Sequence, residues 1–96
     1  MNLLFEWDNE KAISNLKKHG VTFEEAKSVF YDFFAIIALD KEHSISEERF
    51  SLIGYSENNR ILFISYAERN DNIRIISARK TTRIERLIYE KNYKND

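Results

Sequence analysis

The sequence contains no cysteine and no proline, and only two of its 96 residues are glycine. Without cysteine the chain has no disulfide framework, no thiolate ligand for zinc and no thiol nucleophile. It also lacks the glycine-rich loops that hold nucleotide phosphates, the G-x-S-x-G motif of hydrolases and the H-E-x-x-H zinc motif. These absences favour a reducing compartment and a chemistry that needs no cofactor.

Long apolar segments are missing as well. The longest apolar run, residues 33–39, is far shorter than the ~20 residues that a membrane-spanning helix needs. Glu6 and Asp8 interrupt the N-terminal segment where a signal peptide would be apolar. We therefore expect a cytoplasmic protein that contacts no membrane. His19 and His43 lie in unrelated segments without the spacing of metal ligands, so we expect no metal site.

The chain nevertheless has the composition of a folded protein. Hydrophobic residues make up 43% of the sequence and charged residues 32%, which suffices for a packed core and a solvated surface. No repeat, low-complexity tract or linker interrupts the chain, so we expect residues 1–96 to form a single domain.

The net charge of −1 conceals two halves of opposite sign. Residues 1–50 carry ten acidic and six basic side chains, whereas residues 51–96 carry six acidic and nine basic ones. The positive charge is concentrated in residues 69–86, with six cations against two anions. Such a surplus can hold a polyanion, and a solvated charged face would explain it equally well.

Capping signals predict three helices. Asp8 begins the first helix, which ends at Gly20, and Thr22 with Glu25 forms the capping box of the second. Another capping box at residues 82–85 begins the third. The predicted buried stripes are Ala12, Ile13 and Leu16 on the first helix; Phe23, Ala26, Val29 and Phe30 on the second; and Ile84, Leu87, Ile88 and Lys91 on the third.

Runs of alternating or continuous apolar residues predict five strands, at residues 3–7, 34–39, 49–56, 60–68 and 73–79. The element order is then β-α-α-β-β-β-β-α. We expect an α+β fold, an antiparallel meander sheet with its helices packed on one face and the other face or an edge free for a ligand. On the last strand Arg79 shares its parity with Ile73 and Ile75, which places its side chain toward the helix-covered side.

RNA cleavage suits a chain of this composition because RNA supplies its own nucleophile, the 2′-hydroxyl group beside each phosphate. Such a ribonuclease needs a base, cations that stabilise the phosphorane and an acid for the leaving oxygen. Arginine serves as the cation because it makes two charge-assisted hydrogen bonds to phosphate and stays protonated. Arg69 and Arg79 are predicted at strand ends, the latter just before a helix start that also favours phosphate.

Each candidate residue also has a structural explanation. Glu68 would be either a general base or the neighbour that neutralises Arg69. Tyr89 would be either a proton donor or a ring packed on the sheet. His19 would either transfer protons or only carry a positive charge at a helix C-terminus. Arg86 would form a helix-surface ion pair with the glutamate four residues later.

Motifs at both ends of the chain resemble those of the BrnT family of ribonuclease toxins. The N-terminal motifs are Trp7-Asp8, Lys11, Asn15, Lys18-His19-Gly20-Val21, Phe23-Glu24-Glu25-Ala26 and Val29-Phe30. The C-terminal motifs are Ile53-Gly54, Glu68-Arg69, Ile73-Arg74-Ile75-Ile76-Ser77-Ala78-Arg79-Lys80, Glu85-Arg86 and Tyr89-Glu90. The resemblance extends over nearly the whole chain, and the combination of motifs is what makes it specific.

The resemblance implies a type II toxin with a RelE-like ribonuclease architecture, whose cleavage of RNA arrests translation. It implies inhibition by a BrnA-type antitoxin, a ribbon-helix-helix DNA-binding protein, with operator DNA bound only through the antitoxin complex. The competing hypothesis is a non-catalytic interaction protein, such as a degenerate toxin that acts as co-repressor with its antitoxin.

The resemblance also implies roles for individual residues and requires neither a cofactor nor a metal. The implied catalytic residues are His19, Glu68, Arg69, Arg79 and Tyr89. The residues implied to bind the RNA backbone or the antitoxin are Arg74, Lys80 and Arg83.

Overall fold

The strands and helices follow one another in the order that the sequence predicts. The computed structural model describes residues 3–94, the last of them by its backbone alone, so the predicted domain of 96 residues exceeds it by two residues at each end. The strands are β1 (Leu4–Glu6), β2 (Ile36–Leu39), β3 (Arg49–Tyr55), β4 (Ile61–Arg69) and β5 (Asn72–Lys80). The helices are α1 (Asn9–His19), α2 (Phe23–Val29) and α3 (Arg83–Lys94), with a short 3-10 helix at Lys41–His43.

The predicted caps explain the helix boundaries. The side chain of Asp8 accepts hydrogen bonds from the first backbone N–H groups of α1, and Gly20 ends that helix with a φ of 69°, in the left-handed region. The hydroxyl of Thr22 accepts a hydrogen bond from the Glu25 N–H at 3.0 Å, which begins α2. The capping box at residues 82–85 is also confirmed, with both of its hydrogen bonds formed.

The sheet is mixed, so the expectation of a purely antiparallel meander is wrong at one edge. The strand order is β1-β5-β4-β3-β2, and β2 to β5 do form an antiparallel meander. β1 pairs with β5 in parallel over three residues. The reason lies in the connection, because the two helices that follow β1 cross one face of the sheet before the chain returns at the opposite edge.

The hydrophobic core lies between one face of the sheet and the helices α1 and α2. Rows of cross-strand partners line that face, and the predicted inward stripe of α2 packs on them, with Phe30 only partly buried. The central core residues are Val21, Phe23, Ala26, Val29, Leu52, Leu62, Ile64, Tyr66, Ile75 and Ala78. We call this the core face and the opposite one the open face.

The predicted buried stripe of α1 is wrong in part. Ile13 and Leu16 are exposed, and the buried residue of α1 is Asn15. The cause is the unpaired edge of β5, whose polar backbone requires hydrogen bonds. The Nδ2 of Asn15 donates to the carbonyl oxygens of Val21 and Ala78 at 2.9 and 2.8 Å, and its Oδ1 accepts from the Ala78 N–H at 3.1 Å.

The predicted buried stripe of α3 is wrong too. Ile84 is 71% exposed, Leu87 and Ile88 are about half exposed, and Lys91 is exposed. Tyr89 alone is deeply buried, at 1% exposed. No residue of α3 belongs to the core described above, so only α1 and α2 cover the core face. α3 instead crosses the end of the sheet, where contacts from Tyr89 decide which side of the helix turns inward.

A β-bulge in β5 corrects the predicted orientation of Arg79. Ser65 pairs with Ser77 and the adjacent Tyr66 pairs with Ile75, which leaves Ile76 as an extra residue. The insertion reverses the alternation, so that Arg79 lies on the open face although it shares its parity with Ile75. Parity counted along the sequence fails here because a bulge adds one residue to the count.

We predict that Asn15→Ala lowers the free energy of unfolding by about 2 to 4 kcal/mol. The substitution leaves the Ala78 N–H and two carbonyl oxygens without their partner in a buried place. Urea unfolding of both proteins measures the effect, with Asn9→Ala as the control on an exposed position of the same helix. A loss for Asn15→Ala no larger than that for Asn9→Ala would contradict this explanation.

Candidate functional site

The open face carries three parallel rows of side chains from the three central strands. The middle row consists of small hydroxyl residues, Ser51, Ser65 and Ser77. The row toward the β4–β5 hairpin is Arg49, Ala67 and Arg74, and the row toward the other end is Ile53, Phe63 and Arg79. A shallow polar strip therefore crosses the sheet between two rows that contain arginines.

Two ion pairs occupy the hairpin end of the open face. Arg69 makes a bidentate pair with Glu47, both N–O distances being 2.9 Å. Arg74 donates to Glu6 at 2.9 Å. Hydrogen bonds from the paired arginine and, for Glu6, first from a neighbouring asparagine hold the pKa of both carboxyl groups below the ordinary glutamate range.

Arg49 differs from the other arginines of this face. Its Nε is buried and has no hydrogen-bond partner among the residues that the structure describes. Together with Arg74 it flanks Ala67, which is fully buried although no helix covers it. The aliphatic parts of the two arginines explain that burial, and since the Nε is buried as well, only the terminal nitrogens of Arg49 can reach an anion.

A basic side of α1 lies along the β5 edge of the sheet. Residues 11, 15, 18 and 19 fall on one side of the helix because they follow the spacing of helical turns. A shallow cavity of about 180 Å³ lies between this side and the bulge of β5. Its lining residues are Lys11, Ser14, Asn15, Lys18, His19, Ile76 and Ser77. The cavity thus joins two lysines and an imidazole to the serine row.

Arg79 lies at the other end of the open face and is already paired. Its two terminal nitrogens donate to both carboxylate oxygens of Glu85 at 2.8 and 2.9 Å. Its guanidinium also lies over the ring of Phe63, 4.1 Å from the ring centre. The pair raises the pKa of Arg79 and lowers that of Glu85. Arg79 therefore ties the start of α3 to the sheet.

Tyr89 fastens the middle of α3. Its hydroxyl donates to Oδ2 of Asp32 at 2.6 Å, and the same carboxylate accepts from the backbone N–H groups of Phe34 and Tyr55. Burial first, and then the hydrogen bond to Asp32, raise the pKa of Tyr89 well above the ordinary tyrosine range. Gly54 makes room, since a Cβ there would lie 2.9 Å from Asp32. In this geometry the hydroxyl is occupied in holding α3.

The remaining predicted residues are dispersed. Glu68 lies opposite Ile73 on the core-face side of β4, at an exposed position beside Tyr66. Burial, and then the charge of Glu68, raise the pKa of Tyr66 to about 12. Lys80 and Arg83 are exposed near the start of α3. The structure thus brings together Arg69 and Arg74, and does not gather the five residues expected to be catalytic around one point.

Sequence reasoning did not single out four residues of the site, namely Arg49 and Ser77 on the open face and Lys11 and Lys18 on α1. The spacing of Lys11, Asn15 and Lys18 was a usable signal, because an asparagine between two lysines on one helix side differs from a simple charged surface. Arg49 gave no such signal, since its partnerless Nε depends on neighbours from other strands.

Comparison with known proteins identifies the family. The sequence profile of "Ribonuclease toxin, BrnT, of type II toxin-antitoxin system" matches residues 7–85. The chain belongs to the BrnT family. The crystal structure of the Brucella abortus ribonuclease toxin BrnT also resembles it, with a TM-score of 0.65 and 19% sequence identity. The match covers 85% of this chain and 100% of the Brucella chain, and at this identity it shows that the two share a fold.

Other comparisons add little to this membership of the BrnT family. A search among curated proteins finds no match. Within residues 3–94, no helix is long and apolar enough to cross a membrane. In the same range no three histidine or acidic side chains converge as they would around a metal ion.

We predict that Tyr89→Phe loosens α3 without unfolding the protein. The substitution removes the bond to the Asp32 carboxylate, which costs about 1.5 to 3 kcal/mol, while the ring still fills its place. Amide hydrogen exchange of residues 83–94 should accelerate about 10- to 100-fold. Tyr93→Phe is the control, because that tyrosine is 52% exposed. Equal exchange in the two variants would show that the bond to Asp32 does not hold the helix.

Proposed function

We propose that this chain is the toxin of a type II toxin–antitoxin system, a metal-independent endoribonuclease that cleaves RNA through the 2′-hydroxyl group. Membership of the BrnT ribonuclease toxins supports the general activity. The single observation that carries the more specific proposal is the cavity at the bulge of β5, where His19 lies with Lys11 and Lys18 beside the serine row. This arrangement provides a proton-transfer group and cations at one place.

The chemistry follows from those side chains. A base removes the proton of the 2′-hydroxyl, whose oxygen attacks the adjacent phosphorus, and the bond to the 5′-oxygen breaks as that oxygen is protonated. The products are a 2′,3′-cyclic phosphate and a free 5′-hydroxyl. We assign the proton transfer to His19, since an imidazole accepts and releases protons near neutral pH. Lys11 and Lys18 stabilise the negative charge on the phosphorane oxygens.

The rest of the strand of RNA is proposed to bind across the open face. Arg49 offers its terminal nitrogens, and Arg69 and Arg74 bind phosphate by exchanging their present partners, Glu47 and Glu6. Arg83 and Lys80 add positive charge at the start of α3, Lys80 from the core-face side of the last residue of β5. We assign Arg79 and Tyr89 to positioning α3, because their polar atoms are bound to Glu85 and Asp32. Glu68 is left out of the proposed site because it lies on the other side of the sheet.

The toxin role implies a partner. We propose that a BrnA-type antitoxin with a ribbon-helix-helix fold neutralises the protein in the cytoplasm, that operator DNA is bound only through that complex, and that RNA cleavage arrests translation. The order of elements and the open sheet face are in accord with a RelE-like ribonuclease architecture. The exposed apolar residues of α1 and α3 are in accord with a protein that associates with a partner.

We predict that the purified protein cleaves RNA in the presence of EDTA and that His19→Ala slows cleavage at least about 100-fold. Positioned acid–base catalysis contributes that much to a rate. His43→Ala is the matched control, since that imidazole contacts Asp40 in the loop between β2 and β3. Its rate should equal that of the wild type. Cleavage is measured on a short fluorescent RNA under single-turnover conditions.

Two results would contradict the proposal. RNA left intact by wild-type protein over a wide concentration range, together with tight binding to an antitoxin, would favour the non-catalytic co-repressor. Cleavage by His19→Ala at the wild-type rate would be consistent with a ribonuclease but would show that His19 is not part of its catalytic site.

A further inference from the structure

A second cleft lies where α3 crosses the β3–β4 hairpin, at the opposite end of the strands from the row of Arg49, Ala67 and Arg74. It consists of two adjoining cavities of about 710 and 450 Å³, which share Tyr55, Asn59 and Glu90. The larger is also lined by Asp32, Tyr89 and Tyr93, and the smaller by Arg60, Ile61, Lys80, Thr81 and Arg86. One half of the cleft is thus aromatic and the other is basic.

The aromatic half offers two accessible rings. Tyr55 is 43% exposed and Tyr93 is 52% exposed, while the buried ring of Tyr89 lies between them, 5.6 and 6.4 Å from their centres. Phe34 supports Tyr93 from behind, with ring centres 4.5 Å apart. Rings held in this way present flat surfaces to an incoming planar group, at little further entropic cost.

Two polar groups in the aromatic half are available for hydrogen bonding. Asp32 is not one of them, because its two carboxylate oxygens already accept three hydrogen bonds. Glu90 presents a carboxylate, and Asn59 presents a side-chain amide from a turn position with a φ of 59°. A carboxylate accepts hydrogen bonds from an amino group and repels a carbonyl oxygen. The pocket therefore favours a planar ligand that carries an amino group.

The basic half provides anchors for phosphate. The guanidinium of Arg60 is bound to Glu25, whose Oε2 also accepts from Ser56. Lys80 and Arg86 are different, since neither forms an ion pair within residues 3–94. The expected ion pair between Arg86 and Glu90 is also absent within residues 3–94, although their spacing of four residues would allow it on a helix. Two unpaired cations thus lie next to the aromatic half.

We propose that this cleft binds one nucleotide of a single-stranded RNA, with its base on Tyr55 and Tyr93 and its phosphate on Lys80 and Arg86. Glu90 selects bases that have an exocyclic amino group, namely adenine, cytosine and guanine, over uracil. The proposal rests on the proposed ribonuclease function and adds to it a subsite that reads the RNA sequence. Stacking on aromatic side chains supplies the affinity, as in other proteins that bind single strands.

The test measures binding of 2′-O-methyl RNA pentamers, which cannot be cleaved, so that the result does not depend on catalysis. Tyr55→Ala should weaken binding of a cytidine pentamer on the order of 5- to 100-fold. Tyr55→Phe should restore it, since the ring is retained. Tyr31→Ala is the control, because that tyrosine is 61% exposed and lies outside the cleft. Equal unfolding midpoints establish that each variant is folded.

The selectivity has its own readout. Wild-type protein should prefer the cytidine to the uridine pentamer at least threefold, and Glu90→Gln should reduce that preference. Unchanged binding by Tyr55→Ala, or equal affinity of the wild type for both pentamers, would overturn the inference. Wild-type protein that binds with this selectivity and fails to cleave unmodified RNA would instead overturn the proposed function.

Discussion

The side-chain amide of Asn15 determines how the helices sit on the sheet. β1 covers only the first three residues of β5, so the rest of that strand has an edge with no neighbouring strand. At Ala78, the side-chain amide of Asn15 provides the hydrogen-bond donor and acceptor that a neighbouring strand would otherwise provide. The same amide also donates to the carbonyl oxygen of Val21 in the turn between α1 and α2. Because this contact is buried, it sets the rotation of α1, and with it the basic side that faces the bulge.

The bulge at Ile76 has the complementary effect on the sheet. If Ile76 were paired as an ordinary strand residue, the alternation before it would continue and Arg79 would face the core, where a guanidinium has no place. With the bulge, Ala78 faces the helices and packs beside Asn15, while Ser77 and Arg79 reach the open face. The one inserted residue therefore directs the apolar side chain of Ala78 to the core and the polar side chains of Ser77 and Arg79 to the open face. This change of orientation occurs next to the cavity that contains His19.

Features set by neighbouring residues could be predicted from the sequence, and those set by distant ones could not. Asp8, Gly20 and Thr22 act within one helical turn, so the helix ends were predicted correctly. The parallel pairing of β1 depends on contacts about seventy residues apart along the chain, and the orientation of Arg79 depends on cross-strand contacts about nine to sixteen residues apart. The apolar stripe at Ile84 misled for the same reason, since Tyr89 and Asp32 turn that side of α3 outward.

The central claim is that RNA lies along the basic side of α1 at the bulge of β5. The most direct test is the salt dependence of binding to an uncleavable 2′-O-methyl RNA for Lys18→Ala and Lys17→Ala, since only Lys18 lines the cavity although both end the same helix. The logarithm of the association constant falls as the logarithm of the salt concentration rises. Lys18→Ala should make this slope shallower by about 0.7, and Lys17→Ala should leave it unchanged. Equal slopes in the two variants and the wild type would contradict the claim.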